Sequence, residues 1–155
     1  MGEKLKQRLK QEKFRCKEHE ALMNLFLANN FLKKKVDDVC AKYGVTNAQY
    51  NVLRILRGVS PDGYPRCEII PRMIDQAPDV TRIIDNLEKQ HLIIRANSKE
   101  DRRLSITIIT KKGLDILDEM EFDMNSISED LKNTLTEEEI IRLSEICEKI
   151  YGPGI

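Results

Sequence analysis

One change of period constrains this 155-residue chain more than any other feature. From Asp79 to about His91 the apolar residues Val80, Ile83, Ile84 and Leu87 recur at helical spacing. Directly afterwards LIIRANS and LSITIIT are β-branched runs, separated by the charged stretch KEDRR. A helix with one apolar face therefore hands the chain to a two-stranded hairpin with a basic tip. No other stretch reads as a strand, so the fold expected is mostly α with a small β wing.

The remaining segments supply helices on both sides of that unit. Leu22, Leu25, Asn29, Leu32, Val36, Val39 and Tyr43 step three and four residues apart, the seam of a long amphipathic helix that Gly44 ends. Asn29 is its polar member, which suits either an exposed position or a register-setting contact with a symmetric partner. Thr46-Asn47-Ala48-Gln49 has capping-box spacing and predicts a second helix to about Arg57, closed by Gly58. The stretch GVSPDGYPR is expected to be a loop without regular structure. Cys67 to Ile74 reads as a short helix in which Pro71 is awkward outside the first turn. Ala77-Pro78-Asp79 then marks a helix start, with Pro78 at the first helical position and Asp79 near the positive end of the dipole. Beyond Gly113, Leu114, Leu117, Met120, Met124, Ile127 and Leu131 form one stripe. A last helix starts at Thr136, with Glu139 in capping-box spacing, and is lined by Ile140, Leu143, Cys147 and Ile150.

Composition narrows the function classes. Net charge is zero, yet residues 1–64 carry 13 basic and 7 acidic side chains, residues 65–113 carry 10 and 7, and residues 114–155 carry 3 and 12. A polyanion would be drawn to the first two-thirds and kept from the acidic remainder. The N-terminus is too polar for a signal peptide, no apolar run reaches spanning length, and four scattered cysteines suit a reducing compartment, so a cytoplasmic protein is expected. Only His19 and His91 are present, with no phosphate-binding glycine loop and no nucleophile elbow, so neither an enzyme nor a cofactor is expected.

Two short helices followed by a two-stranded wing describe a winged helix-turn-helix, whose second helix enters the major groove of DNA. Its polar face supplies candidate contacts: Arg82 for guanine, Asn86 for adenine, and Thr81 and Lys89 for phosphates, with Asp85 and Asp79 diluting the charge. In the wing, Asp101 can hold Arg103 extended for a narrow minor groove. Lys99 and Arg102 suit either phosphate contact or the guarding of a sheet edge. Alternation of Ser105 and Thr107 with Ile106 and Ile108 predicts that the two isoleucines fix the wing to the core.

The run DVTRIIDNLEKQHLIIRANSKEDRRLSITIITKKG resembles the signature of the MarR family of bacterial transcription regulators. Val80, Thr81, Arg82, Asp85, Leu87, Glu88 and Lys89 match its recognition helix, and Asp101, Arg103, Thr110 and Gly113 match its wing. Asn86 stands where the family often has Arg, and His91 replaces the usual Gly after the recognition helix, making a positive φ less comfortable there.

The resemblance implies a single domain over residues 1–155, with dimerisation helices at about 1–43 and 114–155 and the winged helix-turn-helix at about 46–113. It implies a DNA-binding set of Thr81, Arg82, Asp85, Asn86, Lys89, Lys99, Asp101, Arg102 and Arg103. It further implies a homodimeric repressor on a pseudo-palindromic double-stranded operator, with recognition helices about 34 Å apart and release by a small anionic or phenolic ligand. Cys16, between Arg15 and Lys17, is a candidate redox residue because those cations favour a thiolate. With His19 it makes only two potential metal ligands, too few for a site. The competing readings are a cysteine-based redox-sensing regulator and a dimeric winged-helix scaffold for protein contacts.

Overall fold

The computed structural model describes residues 2–75, 79–97 and 104–152. Along them run α1 (Glu3–Leu9), α2 (Lys17–Lys42), α3 (Asn47–Arg57), β1 (Tyr64–Pro65), α4 (Arg66–Ile69), α5 (Val80–Lys89), β2 (Ile93–Asn97), β3 (Ser105–Ile109), α6 (Lys111–Thr134) and α7 (Glu137–Tyr151). This order, with helices flanking a small sheet, is a winged helix-turn-helix. No described helix is long and apolar enough to cross a membrane.

Local chemistry accounts for most helix starts. Thr46 and Gln49 form the expected capping box of α3, and Thr136 and Glu139 that of α7. Helix α2 begins at Lys17, a turn earlier than its apolar seam, because the seam marks a buried face and not a boundary. Glu18 and Glu20 in its first turn meet the positive end of the dipole. Helix α1 was hidden by the polar composition of the N-terminus. It buries Leu5, and the Gly2 backbone N–H donates to Glu20 Oε1 of α2 at 3.2 Å.

Three element boundaries differ from those expected. The helix foreseen over Cys67–Ile74 stops at Ile69 and tightens into a 3₁₀ turn at Ile70–Arg72. Continued as α-helix, Pro71 would lack the N–H for the Cys67 carbonyl and its ring would press on that group. Pro78 was expected at the first helical position of α5, but Asp79 is the N-cap and Val80 the first helical residue; Pro78 lies outside the described residues. The loop GVSPDGYPR also contains β1, which pairs antiparallel with β3 through Tyr64↔Thr107 and Pro65↔Ile106. The sheet order β1-β3-β2 makes β1 an edge, where a proline is tolerated.

The hairpin itself is as expected, with β2 and β3 in register from Ile93↔Ile109 to Asn97↔Ser105. Its facing is not. Thr107 and Ile109 are buried at 3% and 6% exposure, while Ile106 and Ile108 are half-buried. The core face is chosen by Ile109, which joins Ile93, Leu92 and Leu117 in the core. The opposite face is covered in part by the backbone around Gly63, which closes on Ile108.

The core lies where α3, α5, β3 and α6 meet, around Leu53, Leu56, Ile69, Leu87, Leu92 and Met120. Each such side chain contributes about 1.5–3 kcal/mol by leaving water. Gly113 sits in the first turn of α6, where a Cβ would collide with the Leu92 carbonyl oxygen. The Thr110 hydroxyl accepts from the Gly113 N–H at 3.1 Å and donates to the His91 carbonyl at 2.8 Å. Thr110 and Gly113 therefore bind the start of α6 to the end of the recognition helix. Toward its C-terminus α2 joins the same body: Cys40 is fully buried, and Lys42 and Tyr43 both hydrogen-bond Asp123 of α6.

Candidate nucleic-acid interface

Helix α5 is built to present one face. Val80, Ile84 and Leu87 are buried against the core, and Asp79 Oδ1 accepts from the Arg82 N–H at 2.9 Å, satisfying a free donor of the first turn. The helical period then turns Arg82, Asn86 and Lys89 outward along one strip, with Thr81 beside it. Thr81, Arg82 and Lys89 are exposed and Asn86 is half-exposed. The structure thus brings these four together on one surface, with two cations and an amide capable of paired hydrogen bonds.

Asp85 is on the same helix but is committed elsewhere. Its carboxylate pairs with Arg95 of β2, whose guanidinium also lies 3.3 Å from Glu88 Oε2. Asp85, expected among the DNA contacts, ties α5 to the wing through this pair, and Arg95 offsets the negative charge that Asp85 would otherwise turn toward a phosphate. Arg95 itself escaped the sequence reading. No spacing along the chain marked it: Arg95 is exposed on β2, and its partners Asp85 and Glu88 lie on a different element, brought to it by packing. The wing-tip residues Lys99, Asp101, Arg102 and Arg103 lie outside the described residues.

The cysteines divide by environment. Cys40 is buried, and burial, assisted by Asp37, pushes its thiol up to about 11. Cys16 is exposed at the N-cap of α2. The Glu18 backbone N–H and the Cys16 thiol hold the Glu18 carboxyl below its usual range. Among the described residues no third metal-capable side chain gathers with Cys16 and His19.

A cleft of about 470 Å³ separates α2 from the helix-turn-helix, floored by Leu32, Val36, Met73, Leu117 and Met124. Lys33, Arg54 and Arg57 stand in its walls together with Asp75 and Glu121. Lys33 Nζ pairs with Asp75 Oδ2 at 2.9 Å, and Asn51 Oδ1 accepts from the Ile74 N–H at 3.0 Å. These contacts fasten the segment between α4 and α5 to α2 and α3 across the cleft.

No family model matches the chain. Over 109 residues it is 32% identical to the HTH-type transcriptional repressor MdtR of Bacillus subtilis, covering 70% of this chain and 69% of that protein. A MarR transcription factor from Planctomyces limnophilus is 29% identical in its crystal structure, with a TM-score of 0.66 over 88% of this chain and 98% of its own. The MepR–DNA complex of S. aureus, 22% identical, shares the fold with a TM-score of 0.75 over 83% of this chain and 94% of that one.

Proposed function

This chain belongs to the MarR family of winged helix-turn-helix transcription regulators, and from that premise we propose that it is a homodimeric repressor of a pseudo-palindromic DNA operator. The observation that carries the proposal is the outward strip of Thr81, Arg82, Asn86 and Lys89 on a helix fixed at both its cap and its flank. In the major groove Arg82 would span the two acceptors of a guanine and Asn86 would pair with adenine, while Thr81 and Lys89 would hold phosphates. The wing tip, with Lys99, Asp101, Arg102 and Arg103, would reach the neighbouring minor groove or its phosphates. Asp85 acts in this reading through Arg95, as a positioning residue.

Two further features support the dimer and its control. Leu22 and Phe26 of α2, and Ile141, Leu143, Ile146 and Ile150 of α7, are apolar and at least 41% exposed, a surface that a second copy would cover. The division proposed is of dimerisation helices over about 1–43 and 114–155 around the DNA-binding unit at about 46–113. The cleft offers an apolar floor and, in its wall, Arg54, which pairs with no carboxylate among the described residues, chemistry that suits a small anionic or phenolic ligand. Such a ligand would occupy the space between the dimer helix and the DNA-binding unit and thereby shift the spacing of the two recognition helices. The work of such a protein is on the chromosome, which places it in the cytoplasm.

Titration of fluorescent duplexes over a salt series tests the function. The expected result is tight binding at low salt with a steep linear fall of log K against log salt. Absence of duplex binding at low salt overturns the proposal in favour of a protein-contact scaffold.

A further inference from the structure

Arg66 has no part in the strip on α5. It opens α4, the first helix of the helix-turn-helix, and its Nη1 donates a 2.6 Å hydrogen bond to the Thr81 hydroxyl of α5. Both side chains face solvent. The neighbouring carboxylates are occupied: Glu68 pairs with Arg72 at 2.6 Å, and Asp79 accepts from the Arg82 backbone. Among the described residues Arg66 forms no ion pair.

That bond has a directional consequence. A hydroxyl has one proton to donate and lone pairs to accept with. Because Arg66 occupies a lone pair of Thr81, the Thr81 proton is turned away from the guanidinium and can be donated to an acceptor beside it. Arg66 keeps four further N–H donors in a planar fork suited to a phosphate's paired oxygens. A cation and a hydroxyl that can donate are thus held side by side, one from each helix of the motif, next to the strip of Arg82, Asn86 and Lys89.

We propose that Arg66 and Thr81 form a two-helix phosphate clamp on the DNA backbone, Arg66 supplying the charge and setting the direction in which Thr81 donates. The clamp rests on the DNA-binding reading above and adds to it a residue from the supporting helix. It carries no base preference, since phosphates are the same under every sequence. Its charge is fixed in place before DNA arrives, so little side-chain freedom is lost on contact.

The test uses the full chain and two mixed-sequence duplexes, one A·T-rich and one G·C-rich, titrated over a salt series. Arg66→Ala should flatten the slope of log K against log salt by about 0.9, one phosphate, and lower affinity about tenfold or more on both duplexes alike. Arg66→Lys should restore the slope. Thr81→Val should weaken binding with little change of slope, Thr81→Ser should behave as the wild type, and the double variant Arg66→Ala/Thr81→Val should lose less than the product of the single losses. A wild-type slope in Arg66→Ala, or independent multiplication of the two losses, overturns the clamp. A loss confined to one duplex also overturns it, because Arg66 would then be reading bases. Failure of the wild type to bind either duplex overturns the DNA-binding reading and the clamp together, whereas an unaffected Arg66→Ala on a wild type that binds overturns the clamp alone.

Discussion

His91, at φ +60°, holds the backbone conformation that its position after the recognition helix demands. Its N–H donates to the Glu88 carbonyl at 2.9 Å, the following Leu92 N–H to Leu87 at 3.0 Å, and its own carbonyl accepts from Thr110. These bonds close α5 and turn the chain into β2 at the cost of a left-handed non-glycine residue. That cost is about 1–2 kcal/mol, partly offset in a glycine by its greater freedom when unfolded. The exposed ring has little packing to lose, so His91→Gly should raise the unfolding free energy by about 0.5–1 kcal/mol in urea denaturation. An unchanged or lowered midpoint would show that the imidazole contributes a contact that outweighs the strain. The need for a positive φ here is legible in the sequence, from the family's glycine at this place. The fate of Pro71 was not, because only the turn after α4 shows where the helix could yield.

At the scale of elements, α5 is held by its Asp79 cap, by the burial of Val80, Ile84 and Leu87, and by the Arg95 bridge to the wing. The bridge is half-exposed, so it adds about 1 kcal/mol or less to stability; its effect is to set the angle between helix and hairpin. With the helix so fixed, Asn86 has a defined reach. Asn86→Ala should relax preference at one base pair in each half-site, at about 1–3 kcal/mol, read by competition between an operator and its single-base variants. Equal losses on specific and random DNA would count against a base contact. The two strands of the wing were legible from their β-branched runs, but their facing was not. Alternation gives two faces of β3, one with Ile106 and Ile108 and one with Thr107 and Ile109, and both carry isoleucine. The choice between them was made by Leu92 and Ile93 at the start of β2 and Leu117 of α6, residues outside β3 itself.

Across the whole molecule, apolar surface is distributed unevenly. None of α7 is buried, although Ile141, Leu143, Ile146 and Ile150 recur along it, and Leu22 and Phe26 stand exposed on α2. An isolated chain leaves these groups in water, at about 25 cal/mol per Å² that a second copy would recover. Ile146→Glu should therefore convert a dimer into a monomer in sedimentation analysis and abolish tight operator binding, while the far-ultraviolet spectrum keeps its helical form. A variant that remains dimeric and binds DNA as before would remove α7 from the interface. The charge asymmetry fits the same arrangement, with the basic first two-thirds carrying the DNA-binding unit and the acidic last third forming α6 and α7.

Features decided within a turn or two of the chain were settled by the sequence alone. The capping boxes at Thr46/Gln49 and Thr136/Glu139 need only residues three apart. The apolar period of α5 and the β-branched runs of the hairpin are equally local, and together they carried the fold class. The tertiary structure decided everything that required choosing among distant partners. It paired β1 with β3, gave Asp85 to Arg95 in place of solvent, and set Arg66 against Thr81, 15 residues away. The physical reason is that a charged or hydroxyl side chain can satisfy itself with many groups or with water. Which it meets depends on where packing brings the helices, and no spacing along the chain records that.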